Sequence, residues 1–233
     1  MYRFFLILVV VFLTGCHEFP NTTSSLSKET QWKGKKVNVM NHALILSAER
    51  GDTKTVLKLL KDGAKVNATD KSGRTAVLAA TKNNKVDTVK ALIENGADIN
   101  IRDNNLNNVL LYAGAEGILP IVKLAIEAGA DTKLTNRFGG TALIPASERG
   151  HVEVVKELLM NSDIDVNHIN NLHWTALMDA VILGDGGEKH QKIVQLLVEH
   201  GADSNIGDKE GMTPLEHALS RGYKKIEKIL KDL

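Results

Sequence analysis

Beyond about Val37 the chain alternates short apolar-rich segments with polar turns. In "TALIPASERG" (141–150) the small residues Ala142 and Ala146 suit close helix approach, and Gly150 suits a left-handed helix end. The next segment, "HVEVVKELLM" (151–160), places Val152, Val155, Leu158 and Leu159 at helical spacing, which predicts an amphipathic helix. A polar "GAD-N" turn then reverses the chain. The pattern predicts two helices and a hairpin-like tip as one structural unit.

That unit recurs. "LIENGADINIRD" (92–103) returns as "AIEAGADTKLTN" (125–136) and "LVEHGADSNIGD" (197–208), and Gly63, Gly96 and Gly129 are 33 residues apart. Thr75, Thr141, Thr175 and Thr213 open the first helix of successive units, with Asn108 in the same place. A fixed 33-residue period marks a solenoid. One such unit cannot bury its apolar face alone, so stacking supplies a continuous core.

These motifs, above all "GRTAVLAATKNNKVDTVKALIENGADINIRD" and the terminal "GMTPLEHALSRGYKKIEKIL", resemble ankyrin repeats. The resemblance implies an all-α ankyrin-repeat solenoid of about six helix-turn-helix units: 37–70, 71–103, 104–136, 137–170, 171–208 and 209–233. The chain also resembles small bacterial ankyrin-repeat proteins with motifs like "YAGAEG", "RFGGTALIPASERGH" and "ILGDGG". It departs from the family pattern in three ways. The histidine usual after "TPL" is replaced by Leu78, Leu111, Ile144, Met178 and Glu216. The fourth unit has one extra residue and the fifth has five, in "LGDGGEKHQ". The last unit is short, and its "KKIEKILKDL" suits a solvent-facing cap.

Charge and cysteine content narrow the function classes. The 233 residues carry a formal net charge of +1, and their basic residues alternate with acids or apolar positions. No nucleic-acid-binding stripe results. Residues 1–15 read as a signal: Arg3, a ten-residue apolar run too short to span a bilayer, then small residues. The ending "LTGC" resembles a bacterial lipobox, and Cys16 is the only cysteine. That resemblance implies lipid attachment at Cys16, by a diacylglyceryl thioether and an N-acyl chain. Several chains hold far better than one, at roughly 0.8 kcal/mol per buried methylene. With His17 second in the mature chain, the resemblance implies the periplasmic face of an outer membrane in a Gram-negative cell. Residues 16–36 read as the lipidated cysteine and a flexible tether.

Ser147, Glu148 and His151 use catalytic letters. The repeat puts Ser147 in a packed interface and His151 at the start of the second helix, so no catalytic site is expected. No metal ligands pair at helical spacing, no cofactor motif is present, and "LGDGGEKH" reads as an elongated turn. The family resemblance implies a protein partner held on a concave face made of tips and first helices. Mapped here, that face comprises Tyr112, Glu116, Arg137, Phe138, Glu148, Arg149, Trp174, Asp179 and Arg221. Three of the four aromatics after Val37 fall there, open to two readings: binding contacts or stacking between units. The expectation is a monomeric envelope lipoprotein that binds another protein as scaffold or inhibitor, immunity to a periplasm-delivered toxin being one form. A small-ligand or enzymatic pocket around Arg137, Glu148 and Asp179, or a structural assembly role, are the alternatives.

Overall fold

The computed structural model describes residues 22–232. The leader 1–15 and Cys16 lie outside the described residues. Twelve helices and no strand occur among them. These are α1 (Thr22–Arg50), α2 (Thr53–Lys61), α3 (Ala76–Lys82), α4 (Val86–Glu94), α5 (Val109–Ala115), α6 (Leu119–Glu127), α7 (Leu143–Glu148), α8 (Val152–Asn161), α9 (Ala176–Ile182), α10 (Glu188–Glu199), α11 (Pro214–Arg221) and α12 (Lys224–Lys231). None is long and apolar enough to cross a membrane.

Val37–Leu233 forms one compact unit, distinct from the unit that ends at Lys36. Residues 22–36, within the segment expected as a flexible tether, form the first part of α1. The reason is cooperative. The buried Leu44, Ile45 and Ala48 fix the end of α1, and a helix once nucleated adds one backbone hydrogen bond per further residue. No proline in 22–36 interrupts it.

Within the compact unit α3, α5, α7, α9 and α11 pack in succession, as do α2, α4, α6, α8, α10 and α12. Each odd helix from α3 onward also packs on the even helix that follows it. The core is one repeated seam. Val89, Val122, Val155 and Val194, and likewise Leu92, Ala125, Leu158 and Leu197, are fully buried at equivalent positions of four even helices. This seam is what a single unit could not close.

Odd helices start on a side-chain cap. Thr75, Asn108, Thr175 and Thr213 accept hydrogen bonds from the backbone N–H groups of Leu78, Leu111, Met178 and Glu216. In the last case Glu216 reciprocates as a capping box, which satisfies two otherwise orphaned donors. Thr141, expected to open its helix in the same way, does not. The α7 helix begins at Leu143 after Ala142, and the buried Thr141 hydroxyl has no partner. The physical cause is Pro145, which has no N–H to offer the Thr141 carbonyl and restricts Ile144 before it.

The five tips share one device. Oδ1 of Asp70, Asp103, Asn136, Asn170 and Asp208 accepts the N–H groups two and four residues later. This Asx geometry lets a short polar side chain stand in for backbone in a tight turn. Gly139 is required at its tip: φ is +74°, and a Cβ would lie 2.8 Å from the Asn171 side-chain carbonyl carbon.

The five extra residues of the fifth unit divide between turn and helix. Two lengthen the turn between α9 and α10, and three extend α10. The enlarged turn is tied down: His190 bonds Asp185 Oδ1 through Nδ1 (2.7 Å), and the Tyr223 hydroxyl donates to the Gly184 carbonyl (3.1 Å).

Candidate functional site

The odd helices and tips enclose a groove of about 430 Å³ spanning units two to five. Because the tips recur at a fixed register, the second tip positions of successive units, Asn105, Phe138 and Leu172, line the groove together with the odd-helix ends. At one end the Lys82 ammonium lies 5.5 Å from the Tyr112 ring centroid and donates to Asp103 Oδ2 at 2.6 Å. Burial, then the Glu116 charge, raises the Tyr112 hydroxyl above its usual range. Next, Arg149 donates to Glu116 Oε1 at 2.7 Å and to the Ala115 carbonyl at 2.9 Å. On the rim the Arg137 guanidinium sits 4.7 Å from the Phe138 ring centroid, a cation–π contact. Phe138 is 57% exposed.

The far end is acidic. Asp179, on α9, lines the groove yet is only 2% exposed. Burial first, then the Glu148 carboxylate, pushes its pKa up to about 7. Both causes disfavour the charged form. Asn170 Nδ2 donates to Asp179 Oδ2 at 3.3 Å. One unit later the polarity is reversed: His217 Nε2 meets Asp208 Oδ2 at 2.7 Å. A tip amide therefore faces a helix carboxyl in the fifth unit, and a tip carboxylate faces a helix imidazole in the sixth.

Seven of the nine expected face residues line this one groove: Tyr112, Glu116, Arg137, Phe138, Glu148, Arg149 and Asp179. Trp174 and Arg221 do not. Trp174 is half-buried on the closing position of its tip, and Arg221 is exposed in the last unit. The groove also holds Leu172 and Leu183, 51% and 49% exposed, which reasoning from aromatics alone passed over. The signal for Leu172 is register, since it occupies the second tip position as Phe138 does.

Ser147 is fully buried with no hydrogen-bond partner for its hydroxyl. His151 Nε2 donates to the Ala115 carbonyl (3.1 Å), across the junction between units. His190 Nε2 does the same for the Glu148 carbonyl (2.9 Å) at the next junction. These histidines close helix ends whose carbonyls lack intrahelical partners. No hydrogen bond joins Ser147 to either.

Comparison with known proteins agrees with this architecture. The family described as "Ankyrin repeats (3 copies)" matches residues 21–103 and 110–206. The ankyrin repeat protein YahD of Escherichia coli (strain K12) is 51% identical over 80 residues, covering 34% of this chain and 40% of YahD. An ankyrin repeat domain (ABAYE2397) of Acinetobacter baumannii AYE has a crystal structure similar to this one. Its TM-score is 0.80 at 47% identity, covering 82% of this chain and 97% of that one. The ankyrin repeat protein EF0377 gives 0.79 at 40% identity, with the same coverages.

Proposed function

The chain belongs to the ankyrin-repeat family of protein-interaction modules, and on that premise we propose that it is a lipid-anchored envelope protein whose groove holds a segment of another protein. The groove carries the reading. It is lined by the exposed Phe138, Leu172 and Leu183 and by Arg137 and Arg149, with the Arg137 guanidinium over the Phe138 ring. Aromatic and arginine side chains bury much area with few rotors lost, the composition of binding hot spots. An anchor at Cys16 raises the effective concentration of a partner at the same membrane. Inhibition of a toxin delivered into the periplasm is one form this takes.

In-cell crosslinking tests the reading, with the Arg137→Ala, Phe138→Ala, Leu172→Ala triple variant as comparison. The expected result is loss of a captured partner with an unchanged thermal midpoint, because all three side chains are exposed. Capture that persists removes the groove as the binding site. A Cys16→Ser variant that still incorporates labelled palmitate and stays in the membrane fraction removes the anchor.

A second reading, a small-ligand or enzymatic pocket around Arg137, Glu148 and Asp179, is favoured by Asp179 titrating close to neutrality, as acid–base groups do. Thermal stabilisation by a metabolite without any protein partner supports it.

A further inference from the structure

The carboxyl of Asp179 is not needed by the stack. The equivalent positions of α3, α5 and α7 hold Ala79, Tyr112 and Pro145. A buried carboxyl without a charge partner is a cost, and breaches of local consistency concentrate at functional sites. Asp208 satisfies the equivalent His217 of α11 at 2.7 Å, whereas among the described residues the Asp179 carboxyl receives only the 3.3 Å amide bond from Asn170.

No ion pair among the described residues involves Asp179 or Glu148. The cations of the groove are directed elsewhere: Lys82 to Asp103, Arg149 to Glu116, and Arg137 over Phe138. Of the elements packed on α9, α10 carries Lys189 and Lys192 and α11 carries Arg221, and none of these forms an ion pair with Asp179 or Glu148 among the described residues. From α7 comes Glu148. On α10, His190 is bonded to Asp185 and the Glu148 carbonyl, and on α11, His217 is bonded to Asp208. The two carboxyl groups thus form the acidic end of a groove whose adjoining lining, Leu172 and Leu183, is exposed and apolar. The described residues contain no group of three or more metal-ligating side chains.

A charged head on a long aliphatic stem matches this pairing of surfaces, because such side chains bury their methylenes along apolar area and present the charge at the tip. We propose that the acidic end of the groove receives a Lys or Arg side chain of the bound protein segment, its head at Asp179 and Glu148 and its stem along Leu172 and Leu183. This rests on the reading of the groove as the partner site. The incoming cation favours the ionised carboxyl, so binding releases a proton below neutral pH and strengthens as pH rises.

The test uses a positional-scanning library of fluorescent hexapeptides, each pool fixed with one residue type at one position. Binding to the full protein is read by anisotropy at pH 8.0 and 5.5. The expected result is that Lys- or Arg-fixed pools at one position bind about ten-fold or more tighter than the Ala-fixed pool, as for charge pairs in a groove. That preference shrinks at pH 5.5. It is lost in Asp179→Asn, which keeps the side-chain shape, while Phe138→Ala weakens all pools alike. Pools that bind, compete with one another and depend on Phe138, yet show no Lys or Arg preference or keep it in Asp179→Asn, overturn the inference and leave the groove reading standing. No binding by any pool overturns both.

Discussion

Replacing Asp179 by Asn should stabilise the protein, and the gain should depend on pH in one direction. In the folded protein Asp179 is nearly inaccessible and titrates at about 7, against 3.8 for the free side chain. A carboxyl with a raised folded pKa leaves the folded state binding more protons than the unfolded one between those values. Stability therefore falls as pH rises through that window. About three pH units at 1.36 kcal/mol each amount to roughly 4 kcal/mol, an upper bound because the buried site relaxes and admits water once charged. Asn is neutral at every pH and keeps a carbonyl for the Asn170 amide. The measurement is a series of urea unfolding curves for both proteins at pH 4, 5, 6, 7 and 8, compared at each pH so that other titrations cancel. The variant's advantage should be smallest at pH 4, grow to pH 7 and level off by pH 8, with matching m-values. An advantage that stays flat across the series refutes the argument, as does a carbon-13 resonance of the Asp179 carboxyl that titrates near 4.

Glu148→Gln removes the second cause of that shift. The Asp179 midpoint should move down while remaining above 3.8, as followed by the same carboxyl resonance. Thr175→Val should cost about 1 kcal/mol through loss of the cap, whereas Thr141→Val, which removes an unpaired buried hydroxyl, should be neutral or stabilising. Equal costs in denaturant unfolding would contradict the role assigned to Pro145. His190→Ala unties the enlarged turn and leaves the Glu148 carbonyl without its side-chain donor. A loss on the order of 2 kcal/mol and faster amide exchange over 183–187 are expected. Gly139→Ala should lower stability by about 1 kcal/mol or more, because φ is +74° and Asn171 leaves no room for a Cβ.

Local chemistry made much of this molecule legible from its letters. Helix periodicity, the 33-residue spacing, the glycines and the Thr or Asn caps act over a few residues, and repetition makes each local signal count several times. Where a second local constraint intervened, the repeat misled: Pro145 takes away a backbone donor, so Thr141 does not cap as its counterparts do. The polar composition of 22–36 gave no warning that a helix anchored further along would extend through it, because propagation depends on a neighbour and not on the segment's own polarity.

The sequence by itself determined the repeat, the order of the helices and which positions face the tips, since these follow from short-range propensity and a fixed period. Only the tertiary structure decided what those positions do together. Glu148 and Asp179 stand 31 residues apart in the chain, and the depression of one charge by the other depends on distance and water exclusion that no spacing encodes. The same packing set Trp174 off the groove, brought Leu172 and Leu183 into it, and gave His151 and His190 to helix carbonyls one unit away. Electrostatics and burial are properties of the assembled stack, and the groove's chemistry begins there.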